Sequence, residues 1–230
     1  MRVLIVDNYL DPAGGTHNFA RYLGDTPWTS TRPTREPLPE HREFDAVILT
    51  GSGANMPDGY GGEGTRDGWM DELVAWTRQV VLEGVPTLGV CFGHQVLGAA
   101  FGDGVGKAVP PEAGFLPITQ TVADPLLDRL PERFVCFLSH EDQVDGPGEH
   151  LDVLATSALC ATQAVRVRGH RAWGIQFHAE MSVEEARSIL QFRANKHPEL
   201  GLDVEAELAR SAQMAGVGEA VFGRFLELAR

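Results

Sequence analysis

Three side chains have the types and the local spacing to build a sulfur nucleophile: Cys91, His178 and Glu180. Cys91 lies in GVPTLGVCFGHQVLGAAF, residues 84–101. Pro86 to Val90 is an apolar run of strand length, and from His94 onward Val96, Leu97, Ala100 and Phe101 return at helical spacing. A strand that turns at once into a helix, with Gly89 and Gly93 around the cysteine, has the makings of a nucleophile elbow. At that apex a thiolate is stabilised by the helix N-terminus and by a base supplied from elsewhere in the chain. The second stretch, AWGIQFHAE at 172–180, is a β-type run that ends in His178, one residue, and Glu180. A histidine just past a strand end can reach a cysteine at the end of a neighbouring strand. A carboxylate two residues on can hold the other ring nitrogen and fix the tautomer. Taken singly, each also reads as an ordinary buried cysteine and a structural or surface histidine.

The rest of the chain supplies elements to position these groups. Val3–Val6 reads as the first strand, ending at Asp7, and Thr16–Leu23 as a short helix. Residues 25–43 carry four prolines and read as a surface connection with one short edge strand. The strand Phe44–Leu49 runs into Gly51-Ser52-Gly53, where backbone N–H groups can face developing negative charge; a plain tight turn is the alternative. Residues 54–67, ANMPDGYGGEGTRD, hold no phosphate-cradling Gly-x-x-x-x-Gly-Lys pattern and make a candidate lid, with Tyr60 and Glu63 in it. A helix from Asp67 or Gly68, with Leu73, Val74, Trp76, Val80, Val81 and Leu82 apolar and Gly84 behind it, is the crossover of a right-handed βαβ unit.

Beyond the elbow, Gly102–Gly114 reads as irregular chain, Phe115–Thr119 and Arg133–Leu138 as strands, and DPLLDRLP (124–131) as a helical turn between them. SHEDQV, 139–144, follows the second of these strands. Further strands are expected at His150–Ala155, Ala161–Val167 and Ala172–Phe177, with a hairpin turn at Gly169-His170. Ser182 and Glu185 form a capping-box signature for a helix carrying Ala186, Ile189, Leu190 and Phe192 inward. Two amphipathic segments, Val204–Ala215 and Glu219–Leu228, close the chain.

Bulk properties narrow the class. The formal charge of -13 argues against nucleic acid as a partner, because phosphate neutralisation needs clustered Lys and Arg. No apolar run approaches a membrane span, and MRVLIVDNYL begins a strand directly, so a cytoplasmic protein is expected. Three cysteines cannot all pair; Cys136 and Cys160 read as residues in or beside strands, and no His/Cys cluster has metal-ligand spacing.

GVCFGHQ together with GIQFHAE resembles the class I, triad-type glutamine amidotransferases, and more specifically the stand-alone domains similar to the glutaminase half of GMP synthase. The resemblance covers roughly residues 1 to 195. It implies a flavodoxin-like, open and mostly parallel α/β sheet with helices on both faces, as a domain over 1–195; the helical extension, 196–230, exceeds the resemblance and is expected to pack on the same domain, with self-association or docking as the alternatives. It also implies a nucleophilic Cys91, His178 as base, Glu180 as its orienter, an oxyanion hole from the N–H groups of Gly53 and Phe92, and L-glutamine held by Gln95, Ser139 and His140. Asp142 follows the same pattern with no role assigned. No metal or cofactor is implied; the partner is an unidentified synthase or acceptor subunit that takes the ammonia. One departure is Ala179, where the family usually has proline, which leaves the His-to-Glu segment without a fixed φ. Two other readings stay open: hydrolysis of a γ-glutamyl amide in a larger molecule, and a catalytically silent regulatory or interaction domain.

Overall fold

The computed structural model describes residues 1–11, 13–56, 68–102, 104–146 and 148–230. The candidate lid at 54–67, with Tyr60 and Glu63, lies outside them except for Ala54, Asn55 and Met56.

Four short strands form one half of a nine-stranded sheet: β1 (Val3–Val6), β2 (Trp28–Thr31), β3 (Ala46–Leu49) and β4 (Thr87–Val90). β1, β3 and β4 are buried along their whole length, as expected for strands covered on both faces. Helix α1 (Thr16–Ala20) follows β1, α2 (Trp69–Leu82) makes the crossover into β4, and α3 (Phe92–Ala100) leaves β4. The other strands are β5 (Val105–Gln120), β6 (Arg133–Val144), β7 (Leu151–Thr156), β8 (Ala164–Val167) and β9 (Ala172–Ile175). The order is β2-β1-β3-β4-β9-β8-β7-β5-β6.

This sheet corrects the expectation of an open, mostly parallel flavodoxin-like architecture. β2-β1, β1-β3, β3-β4 and β4-β9 pair parallel, whereas β9-β8, β8-β7, β7-β5 and β5-β6 pair antiparallel. The reason is connectivity. Parallel neighbours require a crossover, usually helical, and among the described residues no α-helix intervenes between the end of α3 and β9, so hairpin-type antiparallel pairing is what the chain can make there. The antiparallel half also curls. β6 is last in the order, yet Phe137 within it bridges His178, just past β9, with the His178 N–H donating to Phe137 O at 2.8 Å. A half-barrel results, and it carries Phe137 of β6 back to the chain just past β9. Two strand bounds change with it: the Gly/Pro-rich 102–114 segment is mostly strand, and Ser139–Val144 continues β6 instead of following it as a loop.

Helices cover both faces. Phe19 and Leu23 pack on one side with Val221, Phe222 and Phe225 of α6 (Val217–Leu228), while α2 and α3 build the core on the other. A third cluster joins Phe115 and Phe137 to Ala186 and Leu190 of α4 (Val183–Lys196) and to Leu208 at the end of α5 (Val204–Leu208). The Ser182/Glu185 capping box is formed at the start of α4. Phe192, expected inward, is 59% exposed. The segment to Ala215 is one short α-helix followed by a 3-10 turn, Ser211–Met214. Among the described residues no helix is long and apolar enough to cross a membrane.

Candidate active site

The cysteine elbow is built by close approach. Cys91 has φ 51° and ψ −102°, the one positive φ among described non-glycine residues, and it is 6% exposed. Such a backbone costs energy and persists only where its surroundings over-determine it. Here they do. A Cβ on Gly89 would stand 2.3 Å from Gly93 O, and one on Gly93 would stand 2.4 Å from Leu49 O. The Cys91 N–H also donates to Ile175 O of β9 at 2.8 Å. Cys91 is the N-cap of α3, so the Phe92 N–H at the next position has no preceding helical turn to accept it.

Across the β4-β9 junction lies His178. Its Nδ1 is 2.7 Å from Glu180 Oε1, and Glu180 is fully buried. Burial opposes the imidazolium, but the Glu180 charge, the Cys91 charge and hydrogen bonds to both push the His178 pKa well above the ordinary imidazole value. His94, also buried beside the elbow, behaves oppositely: burial, with His140 nearby, pushes it down to about 3. The turn that Ala179 leaves without proline is pinned from outside. Arg21 donates to Glu180 O, Tyr22 Oη donates to Ala179 O at 3.2 Å, and the His178 bridge to β6 holds the near end.

The Gly51–Gly53 turn sits beside this pair, tied to the end of β1. Asn8 donates to Thr50 through its N–H and side chain at 2.9 and 3.0 Å, and Ser52 Oγ donates to Asn8 O at 2.8 Å. Neither glycine has a positive φ. Gly51 is needed for space: a Cβ there would lie 3.2 Å from Tyr9 Oη and 3.4 Å from His178 Cε1. That Tyr9 hydroxyl is buried with no partner among the described residues, and burial, then Glu180 and Cys91, raise its pKa so that it stays a donor. Sequence reading missed Tyr9, since nothing local distinguishes it from other loop tyrosines.

A cavity of about 180 Å³ opens on Cys91, lined also by Gly53, Phe92, Gln95, Ser139, His140, Glu141, Asp142, Arg193 and Lys196. All of the residues read from the sequence as oxyanion or substrate contacts therefore border one space. Their side chains differ in availability. Gln95 Nε2 already donates to Asp142 O at 2.9 Å, and Ser139 Oγ accepts from Arg193 Nε at 2.9 Å. The His140 ring turns inward, with Nδ1 3.0 Å from Asp142 O and Nε2 3.0 Å from Glu112 Oε2.

That contact belongs to a second, triad-like cluster, Glu112, His140 and Cys160, whose potential ligand atoms lie within 4.8 Å of one another. Its members come from β5, β6 and the turn before β8, so no metal-ligand spacing in the sequence announces it. It is closed by hydrogen bonds. Glu112 also accepts from Ser157 Oγ at 2.7 Å and Gln163 Nε2 at 2.8 Å, and burial raises the Cys160 thiol pKa. The cluster braces β5 against β6 and so the 139–142 wall of the cavity. Replacing Glu112 by Ala removes the carboxylate that His140, Ser157 and Gln163 share, and a loss of about 3–5 kcal/mol is expected. Calorimetry should read this as a fall in Tm of about 10 °C; a fall under about 3 °C would show that the network is not what holds this wall.

Comparison with known proteins agrees with this architecture. The family model "Glutamine amidotransferase class-I" matches residues 4–196. The chain is 28% identical to a glutamine-hydrolyzing GMP synthase subunit of Saccharolobus solfataricus, over 83% of this chain and 90% of that one. To the corresponding Methanococcus aeolicus protein it is 33% identical over 101 residues, 44% of this chain and 54% of that one. In fold it is similar to the crystal structure of a glutamine amidotransferase from Thermotoga maritima, with a TM-score of 0.81 at 19% identity, covering 100% of this chain and 98% of that one.

Proposed function

Since the chain belongs to the class-I glutamine amidotransferases, we propose that Cys91, His178 and Glu180 carry out its glutamine hydrolysis and that the ammonia passes to a separate acceptor enzyme. The observation that carries the assignment is the strained Cys91 elbow opening on the cavity beside a His178 held by Glu180. Cys160 lacks both features: it is buried away from that cavity, with its thiol pKa raised.

In this reading the Cys91 sulfur attacks the side-chain carboxamide carbon, and the thiol proton resides on His178. The N–H groups of Gly53 and Phe92 meet the oxyanion. His178 then protonates the departing nitrogen, ammonia leaves, and a γ-glutamyl thioester remains. Water, deprotonated by His178, releases glutamate and restores the thiol. Gln95 and the backbone at Ser139 and His140 shape the glutamine site. A cavity of about 180 Å³ suits a single amino acid better than a γ-glutamyl amide with a bulky leaving group. The similarity to GMP synthase subunits supports an acceptor chain that supplies the nucleotide chemistry, and a reduced Cys91 suits a cytoplasmic setting. We take residues 1–195 as the amidotransferase domain and 196–230 as a helical extension carried on it.

The test compares ammonia release from glutamine and from a panel of γ-glutamyl amides, with and without co-purifying proteins. Glutamine turnover that one co-purifying synthase accelerates is expected. Fast, partner-independent cleavage of a γ-glutamyl amide with negligible activity on glutamine would overturn the assignment.

A further inference from the structure

The turn from His178 to Glu180 is gripped on its outer side by elements that the reaction scheme above does not use. Ala179 O accepts from Tyr22 Oη at 3.2 Å, and Glu180 O accepts from Arg21. Tyr22 is itself set by α6, near the end of the chain. Its ring stacks on Phe222, with centroids 4.7 Å apart and planes 17° from parallel, and Phe222 meets Phe19 edge-on at 5.8 Å. Burial raises the Tyr22 phenol pKa, so the hydroxyl stays a donor. Gly218, in the first turn of α6, closes the contact. A Cβ there would stand 2.2 Å from Tyr22 Oη and 2.6 Å from Ala179 O. Its φ is not positive, so the missing side chain serves this close approach and not a turn. Ala179 borders a cavity of about 320 Å³ with Tyr22, Met181, Met214 and Gly218, and its N–H donates to no backbone carbonyl among the described residues.

We propose that Tyr22 is a positioning residue for the His178–Glu180 pair, and that α6 of the C-terminal extension holds it there through Gly218 and Phe222, restraining the turn as a proline at 179 would. The inference rests on the functional reading above. Tyr22 does not border the Cys91 cavity, so it reaches the reaction only through the turn. His178 Nδ1 faces Glu180 Oε1 at 2.7 Å, and the carbonyls that Tyr22 and Arg21 grip, those of residues 179 and 180, belong to the short segment that sets this distance. Alanine leaves φ at 179 free to vary, and the outer hydrogen bonds supply the restraint that a pyrrolidine ring would give. A loosened turn weakens the contact of the imidazole with the carboxylate, and the raised basicity of His178 falls with it.

Steady-state kinetics on L-glutamine and the NMR titration of His178 in histidine-labelled full-length protein test this together, with His178→Asn assigning the resonance. Tyr22→Phe keeps the ring on Phe222 and removes one hydrogen bond. It should lower kcat by about 3- to 10-fold with KM little changed, and move the His178 titration down by about 0.5 in pH or more. Gly218→Ala should do the same by pushing on Ala179 O, although alanine is the better helix former, so the loss is not that of a weakened α6. Glu180 and Cys91, the groups that raise the His178 pKa, are unchanged in both variants, as are Arg21 and Tyr9 beside them. Ala179→Pro in the Tyr22→Phe background should return kcat and the titration most of the way, because proline costs no described backbone hydrogen bond there. Wild-type kcat and titration in both Tyr22→Phe and Gly218→Ala would overturn the proposal, and so would a Tyr22→Phe loss that Ala179→Pro, in a protein of wild-type circular dichroism, leaves in full. Should the wild type release no ammonia from glutamine, the functional reading fails separately. The His178 titration then decides alone: a downward shift in Tyr22→Phe supports the clamp, and an unmoved one overturns it.

Discussion

Replacing Cys91 by Ser should lower kcat for ammonia release from glutamine by at least about a thousandfold, because nucleophile and base act as a unit and loss of either removes the covalent route. The fold should survive. Serine is close to cysteine in size, and the elbow is imposed by Gly89 and Gly93 approaching Gly93 O and Leu49 O, contacts that the replacement leaves alone. A Tm within about 2 °C of wild type would separate lost chemistry from lost structure. A glutamine-like alkylating analogue, followed by peptide mapping, gives the complementary readout. Cys91 borders the cavity, whereas Cys136 and Cys160 are buried with pKa values raised by desolvation, so only Cys91 should be labelled. Stoichiometric labelling at Cys160, with Cys91 untouched, would move the nucleophile to the Glu112–His140–Cys160 cluster.

The second large effect lies in His178 and its partner, and pH separates their roles. His178→Asn should cost about as much as loss of Cys91, while Glu180→Gln should cost less than loss of either, since an orienter acts only through the imidazole. The sign of the pH effect follows from the raised His178 pKa. The imidazolium persists above its ordinary value of 6.5, so the acid that protonates departing ammonia is available until pH rises through the raised value, and the alkaline limb of kcat/KM lies correspondingly high. The same group stabilises the fold below its unfolded value, and that contribution is lost as pH rises through the folded value. Burial opposes the imidazolium and the Glu180 charge is the leading influence that favours it, so Glu180→Gln should move the alkaline limb to lower pH. A limb that stays in place in this variant would show that Glu180 does not set the basicity of His178.

The chemistry proposed for Cys91 and His178 is legible in the chain because each is a local event. A strand, two small residues and a helix are contiguous around Cys91, and His178 and Glu180 are two residues apart, so side-chain type and short-range backbone geometry suffice. Much of the parallel half was legible for the same reason: short apolar runs separated by helical periodicity. What tertiary structure decided is non-local. The bridge from Phe137 to His178 depends on the curl of an antiparallel half-sheet, whose pairing follows from the lack of a described α-helix between α3 and β9 and from a 16-residue β5 whose part before Phe115 reads locally as Gly/Pro-rich loop. Glu112 meets His140 and Cys160, and Glu141 meets Arg193 and Lys196, only after β5, β6 and α4 have packed. Glu112 and His140 lie 28 residues apart along the chain, and Glu141 and Lys196 lie 55 apart. Their charges and hydrogen-bonding groups carry no period, and close packing of the folded chain brings them within reach of one another.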